Sequence, residues 1–503
     1  MKKLILINII ILIASYSGWS QVNVSGHFYG EDAFKFSSYS QYGSARTLGM
    51  GGAFMALGGD AANTFINPAG LGFYNRSEFS ISPVFRSVNT DGTYLDQRVN
   101  RASSNTNLGQ VGAVFSKGIS TVGNKRRSTF GFGYNTLANF YNEYAFQGSN
   151  NRSSMMDYFA EQATFRGATT TELDNEFDTN LGLAQTPTSM YYQAYMIDPY
   201  QGQYVVAEPS FPVNQTINVK ETGNLGQVSL AYAVNLSDKT YLGASVGIQS
   251  LSYNMFNSHQ EEFPNGEVFN SFTYDDQLIV KGTGINLNVG AIHKVTEDFR
   301  VGVNVSTPTW MKIRETFYSG ITIRPKPEVI QSDFKRVETV PSDFNYNMNS
   351  PLRVGVGGAY LLPDKLGVIS VDAEYVGYRN IGVKDKNNLI NNAEQNAAIS
   401  SAYKDVVNIK GGLELRFGKA RVRGGVNYLP DPIKTDQNLD RSNLILSAGA
   451  GFRSAKFFAD AAFSSTKFSS AYTPYVLSDP ENYASGVVDN RVGALTLTVG
   501  TFF

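Results

Sequence analysis

From about residue 77 to its end, the chain is a succession of segments in which apolar residues alternate with small or polar ones. The cleanest runs from Val406 to Phe417. Val407, Ile409, Leu413, Leu415 and Phe417 share one face with Gly411, and Asn408, Lys410, Gly412, Glu414 and Arg416 share the other. Successive side chains of a β-strand point to opposite sides, so this segment has one apolar wall and one charged wall. The next segment sets Val422, Val426 and Tyr428 against Arg421, Arg423 and Asn427. Near the C-terminus Leu495, Leu497, Val499 and Phe503 oppose Ala494, Thr496, Thr498 and Gly500.

Fourteen such segments can be marked: 77–88, 107–117, 128–148, 223–236, 241–256, 277–295, 299–318, 350–361, 366–378, 405–417, 421–429, 443–453, 457–465 and 491–503. A soluble β-sandwich also alternates. Here, however, the face opposite the apolar wall carries Gly, Asn, Ser, Arg and Glu, which suits a wet lumen. The connections also alternate in length. Ser237–Thr240, Thr296–Asp298, Leu362–Lys365, Gly418–Ala420 and Ser454–Lys456 are short, whereas those between them run from 430–442 up to 149–222. An even strand count with short turns at one end and long loops at the other is the pattern of an outer-membrane barrel. Closure has a strict cause, since in hydrocarbon every backbone N–H and C=O must be paired within the protein. The pattern predicts an all-β fold, a 14-stranded antiparallel transmembrane β-barrel in a bacterial outer membrane. Tyr360, Tyr375, Tyr378 and Tyr428 fall near strand ends, where an aromatic belt would sit. The chain ends on Phe502 and Phe503, the aromatic terminus expected to engage the barrel assembly machinery through Phe503.

Two regions stand outside the alternation. Lys2 and Lys3 precede an apolar stretch from Leu4 to Ala14, and Gly18 and Ser20 place small residues before Gln21. Residues 1–20 therefore read as a secretory signal peptide, too short to span a bilayer as a helix. Residues 21–76 contain Gly49 to Phe54, Gly58-Gly59-Asp60 and Asn67-Pro68-Ala69-Gly70-Leu71. Such glycine density suits a tightly turned element packed in a confined space. As a phosphate loop it fails, because no lysine follows the glycines and no strand precedes them.

Composition narrows the chemistry further. The 42 basic and 43 acidic residues balance, which leaves no footprint for nucleic acid. No cysteine is present, so disulfides, thiolate metal sites, cysteine nucleophiles and a lipid anchor on cysteine are all excluded. His27, His259 and His293 are far apart, and His293 falls on the apolar face of its strand. No hydrolase, zincin or nucleotide signature occurs, and neither enzymatic activity nor a cofactor is expected. In the long connection, Ser154 and Asp157 form a helix-start pattern, and Met156, Phe159, Ala160 and Ala163 then share a helical face. With Met155, that surface suits either an apolar docking groove or the packing of the loop itself. Arg353, Lys410, Arg416, Arg421 and Arg423 face the lumen against Asp372, Glu374, Glu414 and Asp460. They suit either the grip of a carboxylate head group or a ladder of ion pairs. Gly131, Gly133, Asn135 and Asn139 within the third segment mark a bulge or bend, or a weakly packed strand.

The stretch ARTLGMGGAFMALGGDAANTFINPAGLG (45–72), followed by fourteen strands, resembles the FadL/TodX family of outer-membrane transporters for hydrophobic compounds. Its most specific part is Asn67-Pro68-Ala69, ahead of the first strand. The resemblance covers essentially the whole mature chain. It implies that residues 21–76 form a hatch inside the barrel 77–503, with Gly51, Gly52, Asn67, Pro68 and Ala69 in it. It further implies that apolar ligands enter between extracellular loops, move to a deeper site, and leave through the wall beside a kinked third strand. That would make Gly131, Gly133 and Asn135 a lateral gate. The chain departs from the family in its much longer second extracellular connection, 149–222. The expected function is passive uptake of hydrophobic molecules, foremost long-chain fatty acids, by a monomeric channel in contact with outer-membrane lipid. Alternatives are a barrel partner of a protein secretion system, a receptor for haemin or aromatic hydrocarbon, and a barrel enzyme.

Overall fold

The computed structural model describes residues 29–40, 42–121, 124–330, 335–385, 391–434 and 439–503. The expected signal peptide (1–20), the first residues of the expected hatch (21–28) and His27 lie outside the described residues.

Fourteen antiparallel strands form the closed wall. In chain order they are β1 Glu78–Tyr94, β2 Gln97–Thr121, β3 Asn124–Asn139 continued by Asn142–Asn150, and β4 Val213–Asn235. Next come β5 Thr240–Glu262, β6 Phe269–Lys294, β7 Phe299–Ser306 continued by Trp310–Pro325, and β8 Ser342–Asn349 continued by Arg353–Leu361. The wall is completed by β9 Gly367–Val376, β10 Val406–Phe417, β11 Ala420–Leu429, β12 Asn443–Arg453, β13 Phe457–Tyr472 and β14 Gly486–Phe502. β14 closes onto β1, from Glu78 opposite Phe502 to Thr93 opposite Val487. The interruptions of β7 and β8 face each other, at Pro308 and Pro351. Proline has no N–H to give the ladder. Thr309 and Ser350 repair the gap, the Thr309 N–H donating to Ser350 Oγ at 2.8 Å.

The two walls fall where the alternation places them. Phe79, Ile81 and Phe85 on β1, Val407, Ile409 and Leu413 on β10, and Leu495, Leu497 and Val499 on β14 are exposed on the outside. Each wall strand has at least 10 residues, enough to cross the hydrocarbon at a tilt. Exposed Arg101, Lys312 and Arg314 lie beyond it. Together the closed ladder and the apolar exterior make this a transmembrane barrel of the outer-membrane type.

Three expectations need correction. The loops at the far end are shorter than predicted, because the strands continue past the membrane as paired ribbons. The first connection, expected at 89–106, is a two-residue turn at Leu95-Asp96 between β1 and β2. The long connection, expected at 149–222, runs from 151 to 212. Above the hydrocarbon both faces of a ribbon are wet, so the backbone ladder persists while the alternation that reveals it disappears. The third segment, expected as one strand over 128–148, is broken at Phe140-Tyr141. Tyr378 is not in an aromatic belt but turns into the lumen, buried against Phe34 at 5.2 Å.

Residues 29–76 fill the lumen as a plug. Helix α1 (Tyr29–Ser37) lays Tyr29, Ala33 and Phe36 against Leu137, Tyr253, Met311 and Tyr346 of the wall. Helix α2 (Ala45–Gly49) is capped by Ser44, whose Oγ accepts from Thr47 N–H at 3.2 Å. Two short 3₁₀ turns follow, Ala61–Thr64 capped by Asp60 and Pro68–Phe73 capped by Asn67.

Candidate functional site

The glycine-rich motif exists because plug backbone lies directly on wall backbone. Gly51 has φ +65°, and a Cβ there would stand 2.6 Å from Val426 O and 2.9 Å from Gly411 O. The wall answers with its own glycines, Gly412 and Gly425, which sit against Met50 and Gly51. Gly52, with φ +79°, has more room and lines the lumen floor. Asn67 is fully buried and triply engaged. Its Oδ1 accepts from Ala69 N–H at 3.1 Å, and its Nδ2 donates to Met55 O at 2.7 Å and to Val303 O at 3.3 Å. Pro68 supplies the fixed φ at the turn's first position, and Ala69 is fully buried against Tyr241 and Ile292. These hatch residues bind the plug to the wall.

Above the plug is one cavity of about 1800 Å³, running from the plug to the extracellular cap. Tyr42, Gly52 and Ile66 form its floor, Phe140, Tyr253, Met255 and Phe317 part of its sides, and Met155, Tyr158, Tyr191 and Tyr475 its roof. Such a cleft, apolar over most of its surface and set with aromatic rings and charged side chains, has the makeup of a small-molecule site.

Most cations of this region are neutralised by the protein. Lys410 meets Glu374 at 2.9 Å, and Arg353 meets the same carboxylate at 3.6 Å while donating to Ser37 O at 2.7 Å. Arg423 lies between Glu414 (2.9 Å) and Asp460 (2.7 Å), and Glu414 also takes Arg46 of the plug at 3.1 Å and Arg416 at 3.2 Å. Arg421 points to the nearby turn and donates to Gly418 O and Ala420 O, both at 2.7 Å. Of the five predicted cations, Arg353 and Lys410 line the cavity, whereas Arg416, Arg421 and Arg423 lie below it. On the plug, burial disfavours the Lys35 ammonium, yet Glu221 at 2.5 Å together with Tyr253 and Asp32 holds its pKa well above the ordinary value.

The predicted loop helix exists as α3 (Met155–Arg166), with Ser154 and Asp157 forming a capping box. Its two apolar sides divide. Met155 reaches the cavity. Met156, Phe159 and Ala163 are fully buried in a core that the cap shares with β6 and β7, Phe159 stacking on Tyr191 at 4.1 Å and lying 5.6 Å from Tyr274. A buried polar knot ties this helix to the barrel. Glu261 accepts from Met155 N–H at 2.8 Å, from Gln215 Nε2 at 2.7 Å and from the Ser154 hydroxyl, and it meets His259 Nε2 at 3.0 Å. Tyr475 joins through Gln215 at 2.9 Å and Asn150 at 3.1 Å. Sequence reading missed this knot, because its members come from five separate segments with no shared spacing. His293, by contrast, is exposed on the outer face as expected and contacts Thr240 at 3.0 Å.

The wall has a seam beside β3. β2 pairs with β3 only from Gln110 to Thr121. Above that level β3 breaks at Phe140-Tyr141, and its upper part, paired with β4, leans into the lumen. There the Thr90 hydroxyl donates to Glu143 O at 2.7 Å, and Phe146 stacks on Tyr472 at 5.6 Å. Gly92 lets this happen, since a Cβ on it would fall 2.2 Å from Ala145 O. Residues 97–109 of β2 are thus left without a strand on that side, and only side chains cross. The Thr136 hydroxyl donates to Leu108 O at 2.7 Å, and Asn139 Nδ2 donates to Asn107 Oδ1 at 3.1 Å. The cavity reaches this seam at Val84, Asn107, Gly109, Thr136 and Asn139.

Gly131 and Gly133 sit below the seam and make room for the plug, with Thr64 against both and Leu71 against Gly131. Asn135 lies at its foot, fully buried with neither amide atom hydrogen-bonded, as is its cross-strand neighbour Gln110. The seam itself depends on residues that sequence reading passed over. Gly109 is the extra residue of a bulge opposite Ser82-Pro83. Gly223, with φ +114°, lies where a Cβ would be 2.1 Å from Ser252 O. A proline and two glycines inside alternating strands were the available signal.

No protein-family model and no curated protein matches this sequence. Solved structures do match. A Pseudomonas aeruginosa FadL homologue aligns over 92% of this chain and 99% of its own, with 11% identity and a TM-score of 0.54. The toluene transporter TodX of P. putida aligns over 93% of this chain and 99% of its own, with 12% identity and a TM-score of 0.53. Both likenesses span plug and barrel together. In fold, this chain is an outer-membrane barrel of the FadL/TodX type.

Proposed function

We propose that the protein is a channel for the passive entrance of hydrophobic small molecules through the outer membrane, foremost long-chain fatty acids. The observation that carries this reading is the continuity of the cavity from the cap to the seam beside β3. An apolar molecule partitions under the cap because its surface leaves water. It then slides along the aromatic sides to the seam, where only side chains cross the wall, and passes sideways into the membrane. The plug closes the straight route below, so the lateral path needs no opening through the full lumen. The channel works as a monomer, with membrane lipid against its outer band.

The test is a crosslink across the seam. The chain has no cysteine, so Asn107→Cys with Asn139→Cys places the only two thiols where the side chains now touch at 3.1 Å. Oxidation, or a short bis-maleimide, is expected to stop oleate uptake into cells lacking their own transporter, and reduction of the disulfide is expected to restore it. Unchanged uptake through the locked seam would overturn the lateral route. The fold relatives include a barrel described as a toluene transporter, so toluene uptake is measured in parallel. A barrel that passes neither compound but co-purifies with a secreted polypeptide would support the secretion-partner reading instead.

A further inference from the structure

One cation beside the seam differs from four others of the cavity. Lys35, Arg166, Arg353 and Lys410 line the cavity, and each faces a carboxylate of the protein. Arg86 on β1 also lines the cavity, within the seam's own border. Its guanidinium meets only neutral oxygens, Nη1 donating to Tyr141 O at 2.7 Å and lying 3.5 Å from Asn139 Oδ1. Its Nε and Nη2 donate to no described protein atom. A half-buried guanidinium with a free donor edge is a costly group to hold without a counter-charge. That edge is planar and suited to donating two parallel hydrogen bonds to one carboxylate. The height is telling as well. Outward residues change here from Phe85 and Leu108 to Ser87 and Thr106, which puts Arg86 at the outer edge of the hydrocarbon. Val84, Ala138 and Phe140 border the same part of the cavity and offer an apolar bed for a chain.

We propose that Arg86 is the head-group residue of the seam, binding the carboxylate of an amphipathic acid whose tail lies in the cleft between β2 and the inward half of β3. The inference rests on the uptake reading and deepens it, making Arg86 the residue that favours a carboxylate over a neutral head group on the same chain. It also assigns the charge recognition to the wall, because Arg353 and Lys410 at the floor are already neutralised by Glu374.

The test is equilibrium binding to the full-length purified barrel of palmitate and of hexadecanol, which share a chain and differ in head-group charge. The wild type is expected to prefer palmitate. Arg86→Gln is expected to weaken palmitate by about tenfold or more, the loss of a charge-assisted pair, and to leave hexadecanol within about twofold, since apolar burial is untouched. Arg86→Lys recovers part of the palmitate affinity. A gel-shift on heating and the thermal unfolding midpoint verify that each variant is folded. Equal palmitate affinity in wild type and Arg86→Gln, with both compounds binding, overturns the Arg86 assignment and leaves uptake standing. Equal loss of both compounds in a folded Arg86→Gln barrel overturns it too, because it marks a shape effect. A wild-type barrel that binds neither compound overturns both readings together.

Discussion

At the scale of single residues, the plug is held by groups whose loss should be measurable. Asn67 is buried with all three of its amide hydrogen bonds inside the protein. Asn67→Ala would leave Met55 O and Ala69 N–H without these partners, at a cost of about 2 kcal/mol. The expected outcome is a lower unfolding midpoint and greater sensitivity of cells to a large antibiotic that a sealed plug excludes. Gly51 is constrained twice, by φ +65° and by wall backbone at 2.6 Å. Gly51→Ala therefore pushes the plug off the wall, and a larger antibiotic leak than for Asn67→Ala is expected. Gly59 provides the contrast. It also has positive φ, but a Cβ there meets nothing within 4 Å. Gly59→Asn, which tolerates that backbone, should leave the seal intact.

At the scale of elements, the cap and the broken strand carry separate duties. Helix α3 is held to the barrel by its apolar face and by Glu261, which takes four polar partners in a fully buried site. Removing one side of such a knot strands the remaining donors, a loss of about 3 kcal/mol. Glu261→Ala is therefore expected to loosen the cap without opening the barrel. Limited proteolysis would report new cleavage within 151–212 while the heat-induced gel shift stays normal. The inward bend of β3 depends on Gly92 and Gly223, each too close to neighbouring backbone for a side chain. Gly92→Val should force the upper half of β3 away from β1. The measurement is the rate of oleate uptake, expected to change, against an unchanged amount of folded barrel in the membrane.

At the scale of the whole molecule, stability comes from closure. β14 pairs with β1 over most of its length, so the first and last strands leave no open edge between them. Phe502 and Phe503 finish that seam. The Phe503 and Ser77 backbones exchange two hydrogen bonds at 3.0 and 3.1 Å, and Phe115 lies against the Phe503 ring at 6.3 Å. Deleting Phe503 removes the last rung of closure. The expected result is less folded barrel in the membrane at equal synthesis, measured by the heat-induced gel shift of membrane fractions.

How much was legible in the residues follows from the range of the forces involved. Within the bilayer, hydrocarbon outside and water inside impose a period of two, so Val406–Phe417 displays its strand and both its faces openly. The short turns, the strand count and the plug's glycine density are local, and they too were readable. The antiparallel ribbons above the membrane were not, because water on both faces removes the alternation while the backbone pairing continues. The cap's polar knot, the inward half of β3 and the pairing state of each lumen cation join residues tens or hundreds of positions apart. Arg353, Lys410 and Arg86 look alike in sequence, as cations on the inner face of a strand. Only the folded barrel sets Glu374 beside the first two and leaves Arg86 facing neutral oxygens at the seam. The sequence alone thus determines the barrel, its two walls and its plug, since solvent acts on each residue separately. Where the cavity opens and which charge remains unpaired is decided by tertiary structure, since those depend on which strands become neighbours.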